Sequence, residues 1–125
     1  MKTLIMILLL LITVAAEGRI GARGFHLGQK VDKEIIQDWN LVVFADEGTL
    51  LVKEILSFQD LDKYQSTLDY LTKEYGTFNN ISFNYEQFKV HTLYLKYAVI
   101  EVTNNNECIE INYKSILTYG ETSAP

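Results

Sequence analysis

The 125-residue chain is poor in the residues that carry most covalent and metal chemistry, with one cysteine and two histidines, and it has one proline. A single cysteine, Cys108, excludes an intramolecular disulfide and any thiolate metal cage; in a secreted protein it would stand free or pair between chains. His26 and His91 lie far apart, and no H-x-x-x-H or C-x-x-C pair is present, so no metal site is expected. Surplus basic charge is missing too: 11 Lys and Arg face 16 Asp and Glu, a net charge of −5. That balance offers no footprint for nucleic acid or anionic lipid. The longest unbroken apolar run, Leu4 to Ile12, is far short of the about 20 residues of a spanning helix. Lys2 precedes it and Thr13-Val14-Ala15-Ala16 follows, the three-part pattern of a secretory signal peptide over residues 1–16. No cysteine follows the run to make a lipobox, so no stable membrane anchor is expected after cleavage. The expected product is a soluble exported protein, periplasmic or extracellular.

What is present supports one packed domain. Hydrophobic residues make up 48% of the chain, enough for a core and against disorder. Residues 17–24 read as a flexible, glycine-rich lead-in; their glycine spacing does not match a dinucleotide-binding turn, and no cofactor is expected. Phe25 to Gly28 reads as a short strand. Asp32 can cap a helix reaching about Trp39, with Ile35, Ile36 and Trp39 on one side. Leu41 to Ala45 and Thr49 to Leu56 form the arms of a hairpin around Asp46-Glu47-Gly48. Ser57 and Asp60 fit a capping pattern for a helix from about Phe58 to Tyr75. Its stripe is Leu61, Tyr64, Leu68, Leu71 and Tyr75, and Gly76 ends it. Ile81, Phe83 and Tyr85 then alternate with polar residues. Val90 to Val102 reads as a long extended stretch with a bulge or break near Lys96-Tyr97, and Ile109, Ile111 and Tyr113 mark the last strand after a turn at Asn104–Asn106. The expected domain, residues 25–117, is α+β: an antiparallel sheet with two helices packed on one face, in the order β-α-β-β-α-β-β-β. Residues 118–125 form a polar tail.

Two stretches carry a family resemblance. Phe25-His26-Leu27-Gly28 followed by Asp32-Lys33-Glu34-Ile35-Ile36 resembles the opening of small exported envelope proteins of the SmpA/OmlA type (BamE-like). Leu68 to Gly76 and Ile109 to Ser115 resemble the close of the same group. These proteins are related in fold to the tandem helix-and-hairpin β-lactamase inhibitor proteins. The resemblance implies a protein-binding module of the bacterial envelope without catalytic residues. The absent lipobox cysteine departs from the family's lipid anchoring.

Function points to binding. Cys108 with His26 or His91 is the one Cys/His combination, and nothing in the sequence brings them together. Asp60-Leu61-Asp62 begins like a calcium loop but lacks its glycine. Asn80-Ile81-Ser82 is an N-glycosylation acceptor, meaningful in a eukaryotic source. The informative excess is tyrosine, eight against one tryptophan. Tyr85, Tyr94, Tyr97, Tyr113 and Tyr119 fall in the sheet half; Tyr64, Tyr75 and Tyr113 sit on apolar stripes and read as core. Tyr85, Tyr94 and Tyr97 are the candidate protein-binding residues, because tyrosine joins a rigid apolar body to a polar tip. The expected function is a small non-catalytic protein that engages another protein through the open sheet face or its edge, with a homodimer left open. The alternative is a secreted hydrolase inhibitor acting through a hairpin loop, Asp46–Gly48 or Asn104–Asn106. A small-ligand carrier with a pocket between helix and sheet is the third class.

Overall fold

The computed structural model describes residues 20–116; the signal segment 1–16, residues 17–19 of the lead-in and the tail 118–125 with Tyr119 lie outside the described residues. Nine strands and one α-helix follow in chain order: β1 Gly21–Ala22, β2 Phe25–His26, β3 Ile35–Asp38, β4 Leu41–Ala45, β5 Val52–Gln59, α1 Tyr64–Tyr75, β6 Asn80–Phe83, β7 Lys89–Tyr94, β8 Ala98–Asn104 and β9 Ile109–Ser115. A single 3-10 turn, Leu61–Lys63, leads into α1. Seven strands form one antiparallel sheet in the order β3-β4-β5-β9-β8-β7-β6, and β1 and β2 make a separate hairpin. The architecture is α+β, but two helices in the order β-α-β-β-α-β-β-β are not what the chain builds.

Two corrections and one resolved alternative account for the difference. Asp32 to Trp39 holds no helix: residues 32–34 bend into the edge strand β3, Ile35–Asp38, in register with β4 from Ile35↔Phe44 to Asp38↔Leu41, and Trp39 begins the turn. The segment is too short to sustain a helix without a face to bury, and β-branched Ile35 and Ile36 favour a strand. Asp32, which suggested a cap, lies in a bend, and aspartate serves turns as readily as caps: at the far end of the segment Asp38 Oδ1 accepts from Trp39 N–H at 2.7 Å, and Asn40 closes the turn at φ +58°. Second, Ser57, Phe58 and Gln59 belong to β5, held by β9 as far as Gln59↔Ile109; sheet pairing displaces the expected cap, and α1 starts with no side-chain cap. Third, of the bulge or break expected near Lys96-Tyr97 the chain takes the break, which divides the stretch into two strands through a chain reversal with Leu95 N–H donating to the Ala98 carbonyl at 2.8 Å. Residues 21–26, placed in and beside the lead-in, pair as a hairpin, Gly21↔His26 and Ala22↔Phe25.

The core lies between the sheet and α1. Leu41, Val43, Ile55, Ile100, Val102, Ile109, Ile111 and Tyr113 point to the helix side and are buried. Leu71 meets them from α1, 1% exposed, while Tyr64, Leu68 and Tyr75 pack around it. Gly76 ends the helix at φ +128°, a conformation open to glycine. Tyr64 contacts His91 on β7 and Tyr75 contacts Tyr113 on β9, so α1 lies over the β9–β8–β7 side. The β1–β2 hairpin covers the β5 side, with Ala22, Phe25 and Leu27 against the core. Gly21 allows close contact both within the hairpin and against the sheet: a methyl there would sit 2.1 Å from the Phe25 carbonyl oxygen of β2 and 2.9 Å from Ile55 Cδ1 of β5.

Truncating Leu71 to alanine should lower the unfolding free energy by about 2–5 kcal/mol in urea titration. Leu61→Ala, at the exposed end of the same stripe, should cost less than about 1 kcal/mol. Equal losses would contradict this packing.

Candidate functional site

The outer face of the sheet is not one apolar surface. Cross-strand register sets three rows across it: Ile35–Phe44–Glu54–Lys114–Val99–Tyr94, Gln37–Val42–Leu56–Asn112–Glu101–Thr92–Asn80, and Phe58–Glu110–Thr103–Val90–Ser82. Apolar residues occupy the β4–β5 side, and a polar band runs down β9 and β8. In that band Lys114 pairs with Glu101 at 3.1 Å and Asn112 Nδ2 donates to Glu54 at 2.6 Å, while Asn112 Oδ1 is buried without a partner. Charged groups satisfied by one another make a poor docking core.

The candidate tyrosines do not form one patch. Tyr94 ends β7 on the outer face, and Tyr97 stands in the β7–β8 turn with Lys96 Nζ 5.1 Å from its ring. Tyr85, 92% exposed, stands in the β6–β7 turn at the other end of β7, which at six residues is about 20 Å away. Tyr113 is in the core, as its stripe position implied, and Tyr64 and Tyr75 are half-buried.

Beside Tyr85 lies the feature with the clearest geometry. β6 is an edge strand, Asn80-Ile81-Ser82-Phe83, exposed at all four residues. Asn84 N–H donates to the Phe88 carbonyl at 3.0 Å, and the register continues through Ser82↔Val90 and Asn80↔Thr92. Antiparallel pairs alternate between bonded and non-bonded positions, so the amides and carbonyls of Ile81 and Phe83 point away from the sheet. Their side chains lie on the helix side but beyond the reach of α1, 53% and 64% exposed. At the opposite edge, β3 carries Asp38 and follows Lys33 and Glu34. Charges of that kind discourage strand addition, and β6 has neither charge nor proline.

Between α1 and the β1–β2 hairpin, on the seam of β5 and β9, a pocket of about 340 Å³ opens. Ser57 and Gln59 of β5, Ile111 and Tyr113 of β9, Leu71 of α1, and Arg23 and Lys63 line it. Arg23 stands in the two-residue turn of the hairpin at φ +53°, with Gly24 at +85°, the left-handed pair that a tight hairpin turn requires. Its guanidinium donates to the Trp39 carbonyl at 3.1 Å and lies 5.9 Å from the indole ring. None of these residues was singled out as a ligand contact in the sequence; they come from four distant segments. Ala22-Arg23-Gly24-Phe25 was the one local signal, a glycine turn between strand formers.

The cysteine and both histidines make local contacts. Cys108 Sγ meets Asn105 Nδ2 at 3.7 Å, His26 Nδ1 meets the Leu27 carbonyl, and His91 meets Tyr64 and Phe78. No group of metal-ligating side chains occurs among the described residues, and no helix among them is long and apolar enough to cross a membrane. The Asp46–Gly48 loop is closed on itself. Asp46 Oδ2 accepts from Thr49 N–H, Thr49 Oγ1 and Gly48 N–H at 2.9–3.0 Å, bonds led by the Thr49 amide that hold its carboxyl below the usual range. At Asn104–Asn106 the asparagine side chains likewise cap their own turn. Comparison of the chain with protein-family models, curated proteins and solved structures gives no match.

His91 is buried under α1, and Tyr64 hydroxyl lies 2.5 Å from its Nε2. Burial raises the Tyr64 phenol above its usual range, and its hydroxyl is hydrogen-bonded to Nε2 of the imidazole. Burial, with Lys89 nearby, lowers the His91 pKa below 6.5. Folding therefore favours the neutral ring, and the stability this confers is present above about pH 6.5 and is lost as pH falls through the folded value. Melting curves at about pH 8 and about pH 5 should show His91→Gln losing less stability than the parent over this interval. An identical loss would place the acid sensitivity elsewhere.

Proposed function

We propose that this is an exported, non-catalytic binding protein that takes up an extended segment of a partner protein along the edge of β6. The observation that carries the reading is the outward backbone of Ile81 and Phe83 on a strand without charge or proline. Strand addition uses such backbone groups for affinity and alternate side chains for specificity. Ile81 and Phe83 supply an apolar surface on one side of the added strand, and Tyr85 stands just beyond it. A partner segment with apolar residues at alternate positions would complete the sheet. Export rests on the pattern of residues 1–16, and the SmpA/OmlA-type resemblance points in the same direction, to a protein-binding envelope module. Tyr85 remains in the binding surface; Tyr94 and Tyr97, at the far end of β7, do not.

A photo-crosslinking residue at position 83 of the full chain should capture a partner whose contact segment can be mapped and synthesised. That peptide should slow hydrogen exchange at the Ile81 and Phe83 amides. Phe83→Lys and Ile81→Pro should weaken it by about tenfold or more, with melting temperatures close to the parent's because both sites are exposed. Unchanged affinity in both variants would overturn the reading. A dimer of the purified chain that Phe83→Lys dissolves would replace the partner with a second copy.

A further inference from the structure

We propose that the pocket on the β5–β9 seam binds a small organic carboxylate, its acid group held by Arg23 and Lys63 and its body lodged against Ser57 and Tyr113. Three independent features converge on that chemistry. The first is charge: in a chain of net charge −5, the pocket is lined by two cations and no carboxylate. Neither cation is neutralised. Arg23 is engaged by Trp39 through its carbonyl and ring alone, and the ion pair among the described residues is Lys114–Glu101, on the other face. A guanidinium fixed in place with donors to spare is suited to a planar carboxylate.

The second feature is unspent hydrogen-bonding capacity. Ser57 and Tyr113 are each 2% exposed and line the pocket, yet no hydrogen bond joins either hydroxyl to another described residue. The described buried side-chain atom without a partner is Asn112 Oδ1, on the other face; the Ser57 and Tyr113 hydroxyls are instead open to the pocket and free to bond a molecule within it. Burial pushes the Tyr113 phenol up, which keeps it protonated and able to donate. The third feature is size and shape. About 340 Å³ lies within the range of small-molecule sites, and Leu71 and Ile111 provide apolar walls. An acid with a compact body and a polar group remote from its carboxylate satisfies all three; a bare inorganic anion would leave the floor hydroxyls unmet. The site is separate from the β6 edge, and its test stands apart from the strand-addition reading.

4-Hydroxybenzoate is a suitable probe, with 4-hydroxybenzyl alcohol as its neutral counterpart and inorganic phosphate as an anion without a body. Isothermal calorimetry on the full chain measures affinity, and Trp39, the chain's one tryptophan, reports by fluorescence because it touches Arg23. The carboxylate should bind about tenfold or more tightly than either comparator. Arg23→Asn and Lys63→Gln should each weaken it by about tenfold. Asparagine tolerates the left-handed conformation at position 23, and position 63 is exposed, so a variant with native melting behaviour is expected from at least one site. No carboxylate binding, equal binding of the alcohol or phosphate, or undiminished affinity in folded variants would each overturn the assignment.

Discussion

The pairing of β5 with β9 is the contact on which the rest of the molecule depends. β3, β4 and β5 form one meander, and β6, β7, β8 and β9 form another. Each can be built from neighbours in sequence. Only the ladder Ile55↔Tyr113, Ser57↔Ile111 and Gln59↔Ile109 joins them, across a long separation in the chain. It obliges α1 to carry the chain across the sheet from its middle to its far edge, and it makes sheet closure the slow, non-local event in folding. The seam also shapes what lies above it. Serine at position 57 opposite Ile111, where larger apolar residues fill the surrounding core, leaves volume between the helix and the hairpin. The pocket is thus a consequence of where the two meanders meet.

A second consequence is geometric. Seven strands make a sheet about 29 Å wide, and a helix about 10 Å across cannot cover it. α1 takes the β9–β8–β7 side; the β1–β2 hairpin takes the β5 side and comes close because Gly21 has no side chain to hold it off. Nothing in the described chain is left for β6. Ile81 and Phe83 are exposed by this shortfall of cover, although their alternation reads as that of a buried strand.

Legibility in the sequence followed the range of the physics. The β4–β5 hairpin, the apolar stripe from Tyr64 to Tyr75 and the glycine that ends it were readable because Asp46, Leu71 and Gly76 act on near neighbours. Asp32 and Ser57 misled because a short side-chain acceptor serves a turn, a strand or a cap alike, and β4 and β9 decided between them. The Lys96-Tyr97 reversal lacks glycine and asparagine, so the hairpin there is fixed by pairing rather than by turn residues. The pocket was beyond reach for the same reason: Arg23, Ser57, Lys63 and Tyr113 become neighbours only once the seam has formed. Tyrosine content pointed to recognition, but composition could not say that β7 would hold Tyr85 apart from Tyr94 and Tyr97.

An open sheet with two edges risks adding copies of itself without end, since one molecule's β6 could meet the next molecule's β3. The two edges differ in a way that bears on this. The β3 edge is bordered by Lys33 and Glu34 and ends in Asp38, whereas β6 is uncharged along its whole length. A copy approaching β6 with its β3 edge must bring those charges against Ile81 and Phe83, and desolvating them there is unfavourable. Head-to-tail growth is therefore discouraged at one partner of every junction, while a single apolar strand meets no such obstacle. On the proposed strand-addition reading, this asymmetry lets β6 accept one added strand, after which the sheet presents whatever edge the partner brings.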